Sequence, residues 1–278
     1  MKKMLVTDID GTLTDGTGKI PKENKAVIQS LIGRGIHVVL CTGRNITKAK
    51  PVAKELGIVA PIICIDGILL YDQKEQTPIY DLSMTDKQAE KIIEIAKRHK
   101  LFAEVSNGYC YYKHIHSREQ LKYDFFNSHS PFGILKSYFG GVRYLASYDK
   151  LKRVKGDFYQ VTIACGSEHF ESVSQEILKL GFEDIDVRNN LWDGYIFVNR
   201  KGIDKSRGIG ILCEKYCVSP SDIVSIGDDL NDLGMLKFCG TGVAMGNSPQ
   251  KVKDAASFIT KGNNEGGFAF ACRHFFEI

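Results

Sequence analysis

The apolar run Met4-Leu5-Val6 leads straight into Asp8-Ile9-Asp10-Gly11-Thr12-Leu13-Thr14 near the start of this 278-residue chain. The run reads as a buried strand, and the Gly and Thr that follow stop it and open a loop. Two carboxylates just past a strand's carboxyl end stand where open α/β sheets place their ligands. One could serve as a nucleophile and the other as a proton donor. A polar Asp-x-Asp-Gly turn without chemistry would read the same.

Strand-like runs near Met4–Thr7, Ile36–Thr42 and Pro61–Ile65 alternate with helical patterns at Lys22–Gly33 and Thr47–Leu56. That alternation predicts right-handed βαβ units and a parallel sheet covered on both faces. Ile68–Tyr71 and Thr77–Asp81, joined by the polar stretch Asp72–Gln76, read as a hairpin. Strand–helix alternation resumes at Tyr195. The stretch between is an insertion.

Two later segments repeat the pattern of a strand delivering polar residues, and a third places a lysine at a helix start. Val38-Val39-Leu40-Cys41 runs into Thr42-Gly43-Arg44. There a hydroxyl and backbone N–H groups can hold anion oxygens, Gly43 permits close approach, and Arg44 offers a planar fork. Thr42 could equally cap the next helix. Lys205 opens an amphipathic helix reaching about Cys217, though a lone lysine is usually a solvated charge. Ile223–Ile226 ends in Gly227-Asp228-Asp229-Leu230-Asn231-Asp232, an acidic cluster suited to a hard cation. An acid-rich helix start would look similar, but Asp228 comes before the first turn.

In this order the four segments resemble the haloacid dehalogenase superfamily. Gly242-Val243-Ala244-Met245-Gly246-Asn247 and Asn264-Glu265-Gly266-Gly267 resemble its Cof-like type IIB phosphatases. The resemblance covers the chain to about Tyr80 and from about Tyr195. It implies a three-layer Rossmann-like α/β core formed by residues 1–81 and 195–278, with 82–194 as an inserted α/β cap that selects substrate. It implies Asp8 as nucleophile, Asp10 as acid and base, and Lys205 with Thr42, Gly43, Arg44 and Asn231 around the phosphate. Mg²⁺ would be held by Asp8, the Asp10 carbonyl and Asp228, with Asp232 in support. The substrate would be a small phosphorylated metabolite, a sugar phosphate first. A phosphomutase would share every motif, and a non-catalytic binding protein is a more distant alternative.

Three positions depart from the family pattern. Asp66-Gly67-Ile68 replaces the usual Asn-Gly-Ala, Ser206 stands where many relatives carry Gly, and Phe197 stands where an acid is common. Asp66 is expected at the same sheet edge as Asp8 and Thr42, with Arg44 as its partner.

The insertion reads as an α/β unit of its own. Thr85–His99 is helical, with Ala89, Ile92, Ile93 and Ala96 on one stripe. Phe102–Val105 and Tyr109–Lys113 read as paired strands across Ser106-Asn107-Gly108, and Phe158–Cys165, Ser167–Leu180 and Asp184–Arg188 repeat strand, helix, strand. Eighteen of the 28 aromatic residues fall from Leu82 to Tyr195, enough to build a separate core. Residues 128–155 read as irregular. His114 and His116 are expected on one half-exposed strand face.

The net charge of +4 is mild and the basic residues are dispersed, so no nucleic-acid partner is expected. No apolar run approaches a membrane span, and the first apolar run is too short for a secretory signal, so a cytoplasmic enzyme is expected. The eight cysteines are expected as reduced, buried thiols, with Cys213 and Cys217 packed in the core rather than holding a metal.

Overall fold

The computed structural model describes residues 2–123, 141–154, 156–190 and 194–278. The chain divides into two compact units, Met1–Tyr80 with Ile203–Ile278, and Asp81–Gly202.

In the first unit, β1 (Met4–Thr7), α1 (Lys22–Gly33), β2 (His37–Leu40) and α2 (Ile46–Leu56) alternate as the periodicity predicts. Met4, Leu5 and Val6 are fully buried, as a strand covered on both faces must be. Asn45 caps α2 by accepting from the Lys48 N–H at 3.0 Å, and Gly57 ends it in the left-handed conformation. The expected third parallel strand takes another course. β3 (Ile62–Cys64) pairs with the main sheet through a parallel bridge between Cys41 and Ile63. It then pairs antiparallel with β4 (Leu69–Asp72), and with β5 (Thr77–Asp81) the three make a small separate sheet.

In the second unit, α3 (Asp86–Arg98) starts on a capping box in which Thr85 and Gln88 exchange hydrogen bonds. Its stripe of Ala89, Ile92, Ile93 and Ala96 is fully buried. The strands are β6 (Phe102–Ser106), β7 (Tyr111–His114), β8 (Val142–Tyr144), β9 (Gln160–Ala164), β10 (Ile185–Asn190) and β11 (Tyr195–Arg200). Among the described residues, the α-helices of this unit after α3 are α4 (Tyr148–Leu151) and α5 (Phe170–Leu178). The sheet runs β10-β11-β9-β6-β7-β8 and is antiparallel except where β7 meets β8. One face builds a core of Ala103, Val105, Val161, Ile163, Ile196 and Val198 with the helices.

Part of the stretch expected to be irregular is ordered, as β8 and α4. Residues 124–140 and 155, which include most of its first half, lie outside the described residues. The half-exposed histidine face is also corrected. His114 is buried, with Nδ1 3.0 Å from the Leu145 carbonyl and its ring edge-on to Tyr148, while His116 is exposed beyond the strand's end.

The first unit resumes with α6 (Lys205–Tyr216), β12 (Ile223–Gly227), α7 (Leu233–Phe238), β13 (Thr241–Ala244), α8 (Gln250–Ala255), β14 (Phe258–Ile259) and α9 (Gly267–Phe276). All strands of its main sheet are parallel, in the order β14-β13-β12-β1-β2. The chain's first strand is therefore central, and the loops after β12, β1 and β2 emerge side by side at one edge. That edge carries the polar segments.

All eight cysteines are free thiols. Cys217 corrects the expectation of core packing, since it is exposed and closes α6 in the left-handed conformation at φ 51°. Among the described residues no helix is long and apolar enough to cross a membrane.

Candidate active site

Asp8 follows β1 directly, and its N–H donates to the Ile226 carbonyl at 3.0 Å, extending the sheet by one residue. The next residues coil into a turn pinned by the fully buried Ile9 and Leu13, with the Leu13 and Thr14 N–H groups on the Ile9 carbonyl. The turn leaves Asp8 inward and carries Asp10 outward. Asp8 is 6% exposed, whereas the Asp10 side chain is 61% exposed.

Lys205 is not the solvated charge a lone lysine usually is. It is fully buried at the first position of α6, which Asp204 caps by accepting from the Ser206 N–H at 2.7 Å. Its ammonium donates to Asp8 Oδ1 at 2.6 Å and to Asp232 Oδ1 at 2.5 Å. Burial opposes its charge, but the Asp232 and Asp8 carboxylates outweigh that and hold the Lys205 pKa well above the ordinary lysine value. Burial pushes the Asp8 carboxyl well up, against the pull of Lys205.

The loop after β12 is not merely an acidic helix start. Asp229 caps the short turn Leu230–Asp232, and Asp232 Oδ2 accepts from the Asp228 and Asp229 N–H groups at 2.8 and 3.0 Å. The Asp228 side chain takes no part in that capping. Its Oδ1 accepts from the Thr12 hydroxyl at 2.7 Å and its Oδ2 from the Asn247 amide at 3.3 Å. Burial, chiefly, pushes its pKa up to about 6. Asn247 also donates to the Gly11 carbonyl at 3.0 Å, tying the first motif to the loop after β13. Gly11 has φ +75°, and a Cβ there would fall 2.2 Å from Asp228 Oδ2. Only glycine fits.

Oxygen atoms of Asp8, Asp228 and Asp232 lie within 4.8 Å of one another. Three carboxylates face one ammonium, an excess of negative charge that a divalent cation would neutralise. The all-oxygen donor set is that of a hard cation. The residues fit such a metal.

Thr42 is buried, and its N–H donates to the Ile63 carbonyl at 2.9 Å. Since Asn45 caps α2, Thr42 is not the helix cap. Its hydroxyl accepts from the Arg44 N–H at 3.1 Å. The expected Asp66–Arg44 pair does not form. Arg44 instead grips Asp10, with Nε 2.7 Å from Oδ2 and a terminal nitrogen 2.5 Å from Oδ1. Asp66 Oδ1 accepts from the Asn231 amide at 2.8 Å and would lie 3.1 Å from a Cβ on Gly43. The reason is backbone conformation. Ile65 and Asp66 both take left-handed φ values, 49° and 54°, which turns the carboxylate toward Gly43 and Asn231.

Thr12 and Asn247 carry no role in the sequence reading. Both lie within segments that resemble family motifs, but their contacts with Asp228 are visible only once the loops after β1, β12 and β13 are placed together.

The chain matches the family model of haloacid dehalogenase-like hydrolases over residues 5–271. It is 26% identical over 287 residues to the stress response protein YhaX of Bacillus subtilis, covering 100% of this chain and 94% of that one. It is 27% identical over 289 residues to 5-amino-6-(5-phospho-D-ribitylamino)uracil phosphatase YcsE of the same organism, covering 98% and 95%. Its fold matches a haloacid dehalogenase-like hydrolase from Bacteroides thetaiotaomicron with a TM-score of 0.83 at 25% identity, covering 99% and 100%. With the motifs at one sheet edge and the match running almost end to end, the chain belongs to the haloacid dehalogenase-like hydrolases.

Proposed function

We propose that this hydrolase is a Mg²⁺-dependent phosphatase of small phosphorylated metabolites, sugar phosphates first, working through an aspartyl-phosphate on Asp8. The class, a phosphoric monoester hydrolase, agrees with relatives named as phosphatases. The observation that carries the reading is Lys205 clamped between Asp8 and Asp232, with Asp228 beside them. It gives a buried carboxylate a fixed direction next to a place for a cation and an anion.

Asp8 attacks phosphorus and the bond to the leaving oxygen breaks as Asp10 gives that oxygen a proton. Asp10 then takes a proton from the water that attacks phosphorus, and the Asp8–phosphorus bond breaks. Thr42, Gly43, Lys205 and Asn231 hold the phosphoryl oxygens, where charge builds in the transition state. Asp8, the Asp10 carbonyl and Asp228 would hold Mg²⁺, and Asp232 orients Lys205. The metal supplies charge neutralisation on the phosphoryl oxygens. The second unit, Asp81–Gly202, acts as the cap that selects the leaving group.

The test is phosphate release from a panel of sugar phosphates, phosphorylated ribityl compounds, pyridoxal phosphate and flavin mononucleotide, with Mg²⁺ and no bisphosphorylated activator. Release from at least one supports the reading. Turnover only with an activator, returning a rearranged phosphate ester, would mark a phosphomutase.

A further inference from the structure

Resting on the phosphatase reading, we infer that Arg44 is the positioning residue for Asp10, setting the direction from which the leaving oxygen is protonated. Asp10 stands on a loop whose other anchors, Ile9 and Leu13, point into the core. Its own side chain is 61% exposed and would be free to sample several rotamers. Arg44 removes that freedom by engaging both carboxylate oxygens, at 2.7 and 2.5 Å. Among the described residues no other side chain bonds to Asp10.

The grip is itself anchored. The Arg44 N–H donates to the Thr42 hydroxyl, the Arg44 carbonyl accepts from the Ile65 N–H at 3.1 Å, and Asn45 begins α2. A planar fork on a short, doubly tied loop fixes both the place and the plane of the carboxylate, which a lysine's point charge does not. Arg44 thus joins the loop after β2 to the acid on the loop after β1. It acts on the reaction through Asp10.

A residue that orients the acid matters in proportion to how much the leaving group needs a proton. An alkoxide from a sugar phosphate leaves poorly unless protonated, whereas p-nitrophenolate leaves well without help. The value of kcat/KM covers the steps through phosphorylation of Asp8, so it isolates the acid role from the later attack by water. Arg44→Ala is expected to lower kcat/KM on the best alkyl phosphate about tenfold or more beyond its effect on p-nitrophenyl phosphate, within the range of general-acid effects.

Arg44→Lys, which keeps the charge without the fork, should show the same bias to a lesser degree, and it decides the matter if the alanine variant fails to fold. In an Asp10→Asn background the bias should vanish, since the two residues act as one unit. Equal losses on both esters, or an undiminished bias without the Asp10 carboxylate, would overturn the inference and leave Arg44 as a binding or loop-ordering residue. Release of phosphate from neither ester by the parent chain would instead remove the phosphatase reading, and this inference with it.

Discussion

The ammonium of Lys205 lies 2.6 Å from Asp8 Oδ1 and 2.5 Å from Asp232 Oδ1, with all three side chains almost wholly buried. The lysine both aims Asp8 and keeps two buried carboxylates from facing each other unbalanced. Removing one partner of a buried ion pair leaves the other uncompensated, at a cost of about 3–5 kcal/mol. Lys205→Met should therefore lower the unfolding free energy by about that amount as well as abolish turnover. Adding Asp232→Asn to it should recover part of the stability and none of the activity. Denaturant unfolding of the single and double variants checks both.

Asp8→Asn keeps the shape of the side chain and removes its nucleophilicity. Turnover should fall by at least about 10³-fold while the melting temperature stays near that of the parent or rises. Activity within about tenfold of the parent would contradict the covalent role.

Metal binding should depend on pH through Asp228. Its carboxyl is raised from the ordinary 3.8 to about 6 in the metal-free fold, chiefly by burial. Between those values the folded state holds a proton that the unfolded state has released. The Asp228 contribution thus makes the metal-free protein less stable as pH rises from about 4 to about 6. Mg²⁺ held by Asp228 would need the ionised form and would offset that loss. Titration calorimetry should find Mg²⁺ about tenfold weaker at about pH 5 than at about pH 7, with chelator abolishing turnover. An affinity that does not change with pH would remove Asp228 from the metal site.

Gly11→Ala probes the same ligand from the other side. Its Cβ would fall 2.2 Å from Asp228 Oδ2, on a backbone at φ +75°. The variant should lose about 1–3 kcal/mol of stability from strain and bind Mg²⁺ more weakly, since Asp228 must move. Thermal melts with and without Mg²⁺ separate the two effects.

Asp66→Asn should fold as well as the parent. Asparagine tolerates the left-handed conformation, and its carbonyl can still accept from Asn231. What changes is one negative charge beside the Thr42–Arg44 loop. KM for phosphate esters should fall about threefold to tenfold with kcat largely kept. Identical parameters on several substrates would place Asp66 outside the binding site.

Much of this site is legible in the chain because its parts are local. Apolar runs ended by Gly or Thr put Asp8, Asp10, Thr42, Gly43 and Asp228 at strand ends, and the 3.6-residue period of α6 puts Lys205 at a helix start. Those signals depend on neighbours a few residues away. The tertiary structure decided everything that depends on which loops become neighbours. Strand alternation does not reveal that β1 lies between β12 and β2, yet that order sets Thr12 against Asp228 and Asn247 against the Gly11 carbonyl, each across more than two hundred residues. It also decided that Arg44 holds Asp10 and not Asp66, because two successive left-handed residues turn Asp66 toward Asn231. Residue chemistry matched Arg44 to Asp66 alone, as one carboxylate-matching fork beside one carboxylate. The path of the backbone between Cys64 and Gly67 took Asp66 away and left Asp10 as the partner.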